Sequence, residues 1–191
     1  ANSSLAPGKG FSYDLLSSEV LVDRLTVKDG RLVLPDGMSY KMLVVDLDEP
    51  VIPVDVLKKI DELVNEGATI VLGETKPLNV PGVGNYPKSD IEVSNLAEKL
   101  WTKTSGQMQV RQLGKGKIYT GANMEEILKA HNVLPDFDGP FEYIHRTGSN
   151  LDIYFVSGEG KAECTFRVNG KKPEIWNPLT GQTSEAISYN S

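Results

Sequence analysis

The hydrophobic positions fall into two regimes. Up to about residue 130 apolar runs alternate with helical spacing. In the first regime, Val56, Leu57, Ile60, Leu63 and Val64 recur at helical intervals between charged residues, which predicts a helix from Pro53 to Glu66 with Gly67 as its terminator. The flanking runs Met42-Leu43-Val44-Val45-Asp46 and Ala68-Thr69-Ile70-Val71-Leu72-Gly73 are apolar without alternation, as expected of strands covered on both faces. A long amphipathic helix between two such runs makes them adjacent or near-adjacent parallel strands, and the first is expected to be central in its sheet.

Other elements follow from local signals. Phe11 to Leu16 reads as a short strand, and Ser17-Ser18-Glu19 opens a brief helix carrying Val20, Leu21 and Leu25. Asp29-Gly30 supplies a hairpin turn before Leu32, Val33 and Leu34. After a Pro/Gly-rich loop over 76–87, Ser89-Asp90 is positioned to cap a helix to Trp101, with Val93, Leu96, Ala97 and Leu100 on one face. Val110 to Gly121 reads as a hairpin folded at Gly114-Lys115-Gly116, and Asn123 caps a short helix with Met124, Ile127 and Leu128.

In the second regime, from Phe141 on, only short alternating runs remain. The Pro/Gly stretch Leu134 to Pro140 marks the boundary, giving an α/β domain over 1–139 and a small antiparallel β segment over 140–191. The lone cysteine, Cys164, alternates with Ala162, Phe166 and Val168 and is expected as a buried thiol on a strand.

Composition narrows the function classes. In 191 residues with 39% hydrophobic content there is room for a real core but no apolar run long enough to span a bilayer. A net charge of −6 with scattered Lys and Arg gives no footprint for nucleic acid. One cysteine forms no internal disulfide and leaves the redox compartment open.

Candidate chemistry is sparse. Leu43 to Pro50 resembles the first motif of haloacid-dehalogenase-type phosphohydrolases, in which an apolar strand delivers a nucleophilic aspartate and an acid–base aspartate, here Asp46 and Asp48, beside Mg²⁺. Pro50 stands where that motif has threonine or valine, and no later strand supplies the acidic pair that completes the metal site. A solvated acidic loop is the plainer reading. Gly114-Lys115-Gly116-Lys117 lacks P-loop spacing, and Pro81 to Asn85 lacks the third glycine of a dinucleotide fingerprint. His131 and His145 have no cysteine or second histidine at ligand spacing, so structural roles are assigned and no cofactor or metal is expected. Trp176 admits two roles, stacking on a sugar ring or, preferred here, burial as the anchor of the last strand; the Tyr143 and Tyr154 strands are a second place for a sugar.

Gly73-Glu74-Thr75-Lys76 occupies the strand-to-helix position where class I glutamine amidotransferases carry a nucleophilic cysteine. The overall order resembles that flavodoxin-like parallel-sheet fold, but Glu74 and Thr75 cannot replace a thiolate. A closer likeness runs through almost the whole chain. Tyr13-Asp14, the run Lys28 to Tyr40, Gly67-Ala68-Thr69, Tyr86-Pro87, Gly114 to Tyr119 and Pro135-Asp136-Phe137 resemble the amidotransferase-like domain of glycoside hydrolase family 106 α-L-rhamnosidases. His145-Arg146, Asp152 to Ser157, Phe166-Arg167-Val168 and Trp176 to Gly181 are similar to the β-domain that follows it.

That resemblance implies a non-catalytic structural domain of a glycan-degrading enzyme, periplasmic or secreted, whose partner is a separate catalytic barrel with acidic residues and a calcium ion. A barrel of that size does not fit within 191 residues beside these elements. No catalytic residue is carried over to any position. The alternatives left open are the phosphohydrolase on Asp46 and Asp48 and a carbohydrate-binding module on Trp176. Amidotransferase-like domains usually begin with a strand and helix ahead of the position of Phe11, so the strand at Met42 to Asp46 is expected to lack a neighbour. The chain would then self-associate or cover that edge with residues 141–191.

Overall fold

The structure, a computed structural model, describes residues 5–102, 107–121, 123–186 and 189. Two compact units emerge: residues 1–7 with 13–132, and residues 8–12 with 133–191. Among the described residues no helix is long and apolar enough to cross a membrane.

The first unit opens with α1 (Ser18–Arg24), whose first turn is capped by the Ser17 hydroxyl accepting from the Val20 amide. The expected strand over Phe11 to Leu16 does not form, and that segment is irregular. Strands β1 (Thr26–Lys28), β2 (Arg31–Val33) and β3 (Ser39–Tyr40) make a small antiparallel sheet. Its first turn is the Asp29-Gly30 pair, and both residues have positive φ. The main sheet contains β4 (Leu43–Val45), β5 (Thr69–Leu72), β6 (Gln109–Leu113) and β7 (Gly116–Thr120) in the order β4-β5-β7-β6. Strands β4, β5 and β7 are mutually parallel, and β6 runs antiparallel to β7. The two apolar runs are thus adjacent parallel strands, as their connection requires. However, β4 pairs only with β5 among the described residues, so it is an edge strand and not the central one.

The connection is α2 (Val54–Glu66), followed by α3 (Lys88–Leu100) and α4 (Met124–Ala130). Leu57, Ile60, Leu63 and Val64 of α2 and Val93, Ala97 and Leu100 of α3 pack with Ile70, Leu72 and Ile118 in one buried cluster. Alternation turns Val71 and Tyr119 to the opposite sheet face, where Tyr119 meets His131 at the end of α4 with ring centroids 5.4 Å apart. The sheet is therefore covered on both sides, which explains its non-alternating strands. Gly67 ends α2 with φ 129°, returning its amide to the carbonyls of Leu63 and Val64. The cap expected of Ser89-Asp90 is not made: Ser89 donates to the Gly84 carbonyl, and Asp90 accepts from the Val80 amide, so both tie down the preceding loop.

The second unit consists of short antiparallel pairs: β8 (Phe137–Asp138) with β11 (Thr165–Phe166), β9 (Glu142–Thr147) with β10 (Asp152–Ser157), and β12 (Glu174–Trp176) with β13 (Thr183–Glu185). The Leu134 to Pro140 stretch belongs to this unit and does not close the first. Phe137 packs its ring on Tyr143 and Phe166, and the Asp136 amide donates to the Gly10 carbonyl at 2.6 Å. The strand expected across Ala162 to Val168 shrinks to two residues, leaving Ala162 exposed and Cys164 only half-buried.

Candidate functional site

Three places merit a chemical reading. The first is a cleft of about 630 Å³ at the carboxyl ends of β4, β5 and β7, where open α/β sheets place ligands. Asp46, Glu74 and Glu126 contribute carboxylates to it, and Gln107 and Asn123 contribute amides. Asn123 and Glu126 already satisfy one another as the capping box of α4. Asp46 follows β4 and lies over Gly73, where an added Cβ would come within 2.2 Å of Asp46 Oδ1. Glu74 is exposed in the segment that follows β5. Asp48 is exposed in the loop beyond Asp46. Among the described residues no group of three His, Cys, Asp or Glu side chains is placed to hold a metal ion. Among the described residues, the charged side chains that line the cleft are the carboxylates of Asp46, Glu74 and Glu126.

The second place is a polar hub in the second unit. Asp136 is 6% exposed, yet its carboxylate receives Tyr154 Oη at 3.2 Å, Arg167 Nη2 at 2.9 Å and His145 Nδ1 at 2.8 Å. His145 Nε2 reaches Asp152 Oδ1 at 2.9 Å, and Lys171 donates to the other Asp152 oxygen at 2.5 Å. Both imidazole nitrogens thus face carboxylates. The ring also stacks on Tyr154 at 4.0 Å and 10°.

Burial alone would push the Asp136 carboxyl up, but hydrogen bonds from Arg167 and His145 outweigh it and hold it below the usual range. The hydrogen bond from Lys171, aided by His145, brings Asp152 down to about 2. Burial, with the Asp136 charge beside it, pushes the Tyr154 hydroxyl up. These contacts join β9, β10, the segment after β11 and the Asp136 loop. Tyr143 and Tyr154 lie on the same inward face, so that pair of strands does not present them to a sugar.

Sequence reasoning named Asp136, Asp152 and Arg167 only within the strings that carry the family resemblance and gave them no role. One signal was available: pairing 142–147 with 152–157 through a short turn sets Tyr154 directly opposite His145. In the first unit His131 has its Nε2 buried without a partner, and burial, then the charges of Lys117 and Lys41, lowers its pKa.

The third place is the β12–β13 hairpin. Trp176, expected to bury its ring as an anchor, is 70% exposed, because its strand belongs to a two-stranded ladder with no layer over it among the described residues.

Comparison with known proteins places these features in a family. The α-L-rhamnosidase model of glycoside hydrolase family 106 matches residues 1–191. A Formosa agariphila protein whose name proposes it as a β-glucuronidase is 32% identical over 182 residues, covering 90% of this chain and 14% of that protein. The solved structure of a rhamnosidase from Novosphingobium sp. PP1Y superposes with a TM-score of 0.78 at 30% identity, covering 95% of this chain and 18% of that one. The chain thus spans less than a fifth of either relative. By the family model that matches it from end to end, the chain belongs to glycoside hydrolase family 106.

Proposed function

We propose that residues 1–191 are a non-catalytic structural part of a larger glycan-cleaving enzyme of the α-L-rhamnosidase type. The observation that carries this reading is the coverage: the family likeness fills the chain while accounting for only 18% of a rhamnosidase. A catalytic barrel would lie in the remainder of such a parent, and this chain would support it. The outer face of β9 and β10 favours the same reading. Ile144, Ile153 and Phe155 there are each 55% exposed, and an apolar patch on a two-stranded sheet is the kind of surface a further protein layer covers. In the parent that layer would complete a β-sandwich.

The first unit is read as a flavodoxin-like, class I amidotransferase-like domain that has lost its chemistry. Three parallel strands with helices on both faces and Glu74 in the nucleophile position support this. The test is turnover. The purified chain is expected to leave aryl α-L-rhamnosides intact, and equally to show no Mg²⁺-dependent phosphatase activity. Phosphatase activity abolished by Asp46→Asn would replace the structural reading with the hydrolytic one.

A further inference from the structure

The β12–β13 hairpin presents a surface whose chemistry has not been used by the polar hub or the cleft. Alternation and register put Glu174 and Trp176 of β12 on one face, opposite Glu185 and Thr183 of β13. Trp176 Nε1 donates to Glu174 Oε2 at 3.1 Å, which fixes the indole and occupies its only donor while a ring face stays open. Lys172 donates to the Glu185 carboxylate at the margin.

The hairpin holding this face is braced at its turn. Asn177 and Gln182 close it with an amide–carbonyl bond of 2.9 Å, Gly181 N–H returns to the Asn177 carbonyl at 2.8 Å, and the Asn177 side chain accepts from the amides of Leu179 and Thr180. The indole is therefore offered from a preorganised support rather than from a floppy tail.

We infer that Trp176, with Glu174, Thr183 and Glu185 around it, forms a binding platform for a neutral saccharide. A pyranose has a C–H-rich face that matches an exposed indole, and hydroxyls on its rim that donate to carboxylates. Two carboxylates against one ammonium leave the platform net negative. It therefore disfavours uronic acids and other anionic sugars, although a relative is named for glucuronide cleavage. The inference rests on the glycan-related family assignment and not on the chain being inactive, so binding and turnover can fail separately.

Two tryptophans of opposite exposure make the test direct, since Trp101 is buried at 5% and Trp176 is open. Titration of the 191-residue chain with a neutral rhamno-oligosaccharide is expected to give a saturable change in tryptophan emission. The change vanishes in Trp176→Ala with the far-ultraviolet dichroism intact, persists in part in Trp176→Phe, and weakens about tenfold in Glu174→Gln through loss of one charge-assisted hydrogen bond. A galacturonate oligomer of equal length is expected to give no saturation. The inference is overturned if the wild-type chain shows no saturable change, if Trp176→Ala titrates like the wild type, or if acrylamide fails to reach Trp176 in a sugar-free longer parent protein, which would mean protein covers the ring.

Discussion

Asp136 collects three side-chain donors on a carboxylate that is almost wholly buried, so its removal leaves a guanidinium, an imidazole and a phenol facing an empty position. Asp136→Ala is expected to destabilise the second unit by about 3 kcal/mol, and Asp136→Asn by roughly 1–3 kcal/mol, read from chemical denaturation with a probe in that unit. The pH dependence follows from the same groups. Asp136 and Asp152 are both lowered from 3.8 in the folded state, Asp152 to about 2, so the unfolded chain binds more protons in that interval. Their contribution is complete above about pH 4 and disappears as pH falls towards 2. Near-ultraviolet dichroism of the tyrosine cluster is expected to decay across that window, and Asp152→Asn is expected to flatten the slope; a signal constant down to pH 2 would remove the hub from the stability of the unit. None of this was legible locally, because the partners of Asp136 come from positions 145, 154 and 167 and meet only through the strand register.

At the scale of elements the readable parts were those set by near neighbours. The spacing of Val56, Leu57, Ile60, Leu63 and Val64 specifies α2, Gly67 specifies its end, and Asn123 specifies the start of α4, where the structure adds Glu126 as the other half of a capping box. The edge position of β4 escaped the sequence because an apolar run reports how well its faces are covered, whereas the pairing order depends on distant strands. Trp176 was misread for a related reason: its size argues for burial, but burial needs an opposing layer, and among the described residues none lies over the hairpin. Close approach of α2 to β7 yields a sharp expectation. A Cβ on Gly116 would sit 2.2 Å from the Ala68 carbonyl oxygen and 2.3 Å from that of Val64, both backbone atoms that cannot swing aside. Gly116→Ala is thus expected to cost about 1–3 kcal/mol, measured as a lowered denaturation midpoint of the first unit. An unchanged midpoint would mean that the helix end and the strand can separate freely.

For the whole molecule, the contrast between the units points outward. The first buries a continuous apolar cluster, whereas in the second, among the described residues, Phe137 is the buried large apolar side chain and Ile144, Ile153, Phe155 and Trp176 are exposed. With the edge of β4 that pairs with no strand among the described residues, the outer face of β9 and β10 should make the isolated chain self-associate at micromolar concentrations, and Phe155→Lys should reduce association in light scattering without lowering stability. A monomeric wild-type chain would show that neither surface is sticky enough to require cover. The central claim, that this part of a family 106 protein supports chemistry performed elsewhere, is tested most directly by incubating the purified chain with an aryl α-L-rhamnoside and following aglycone release. Release no faster than in buffer is expected; turnover that survives repurification and scales with chain concentration would contradict the claim.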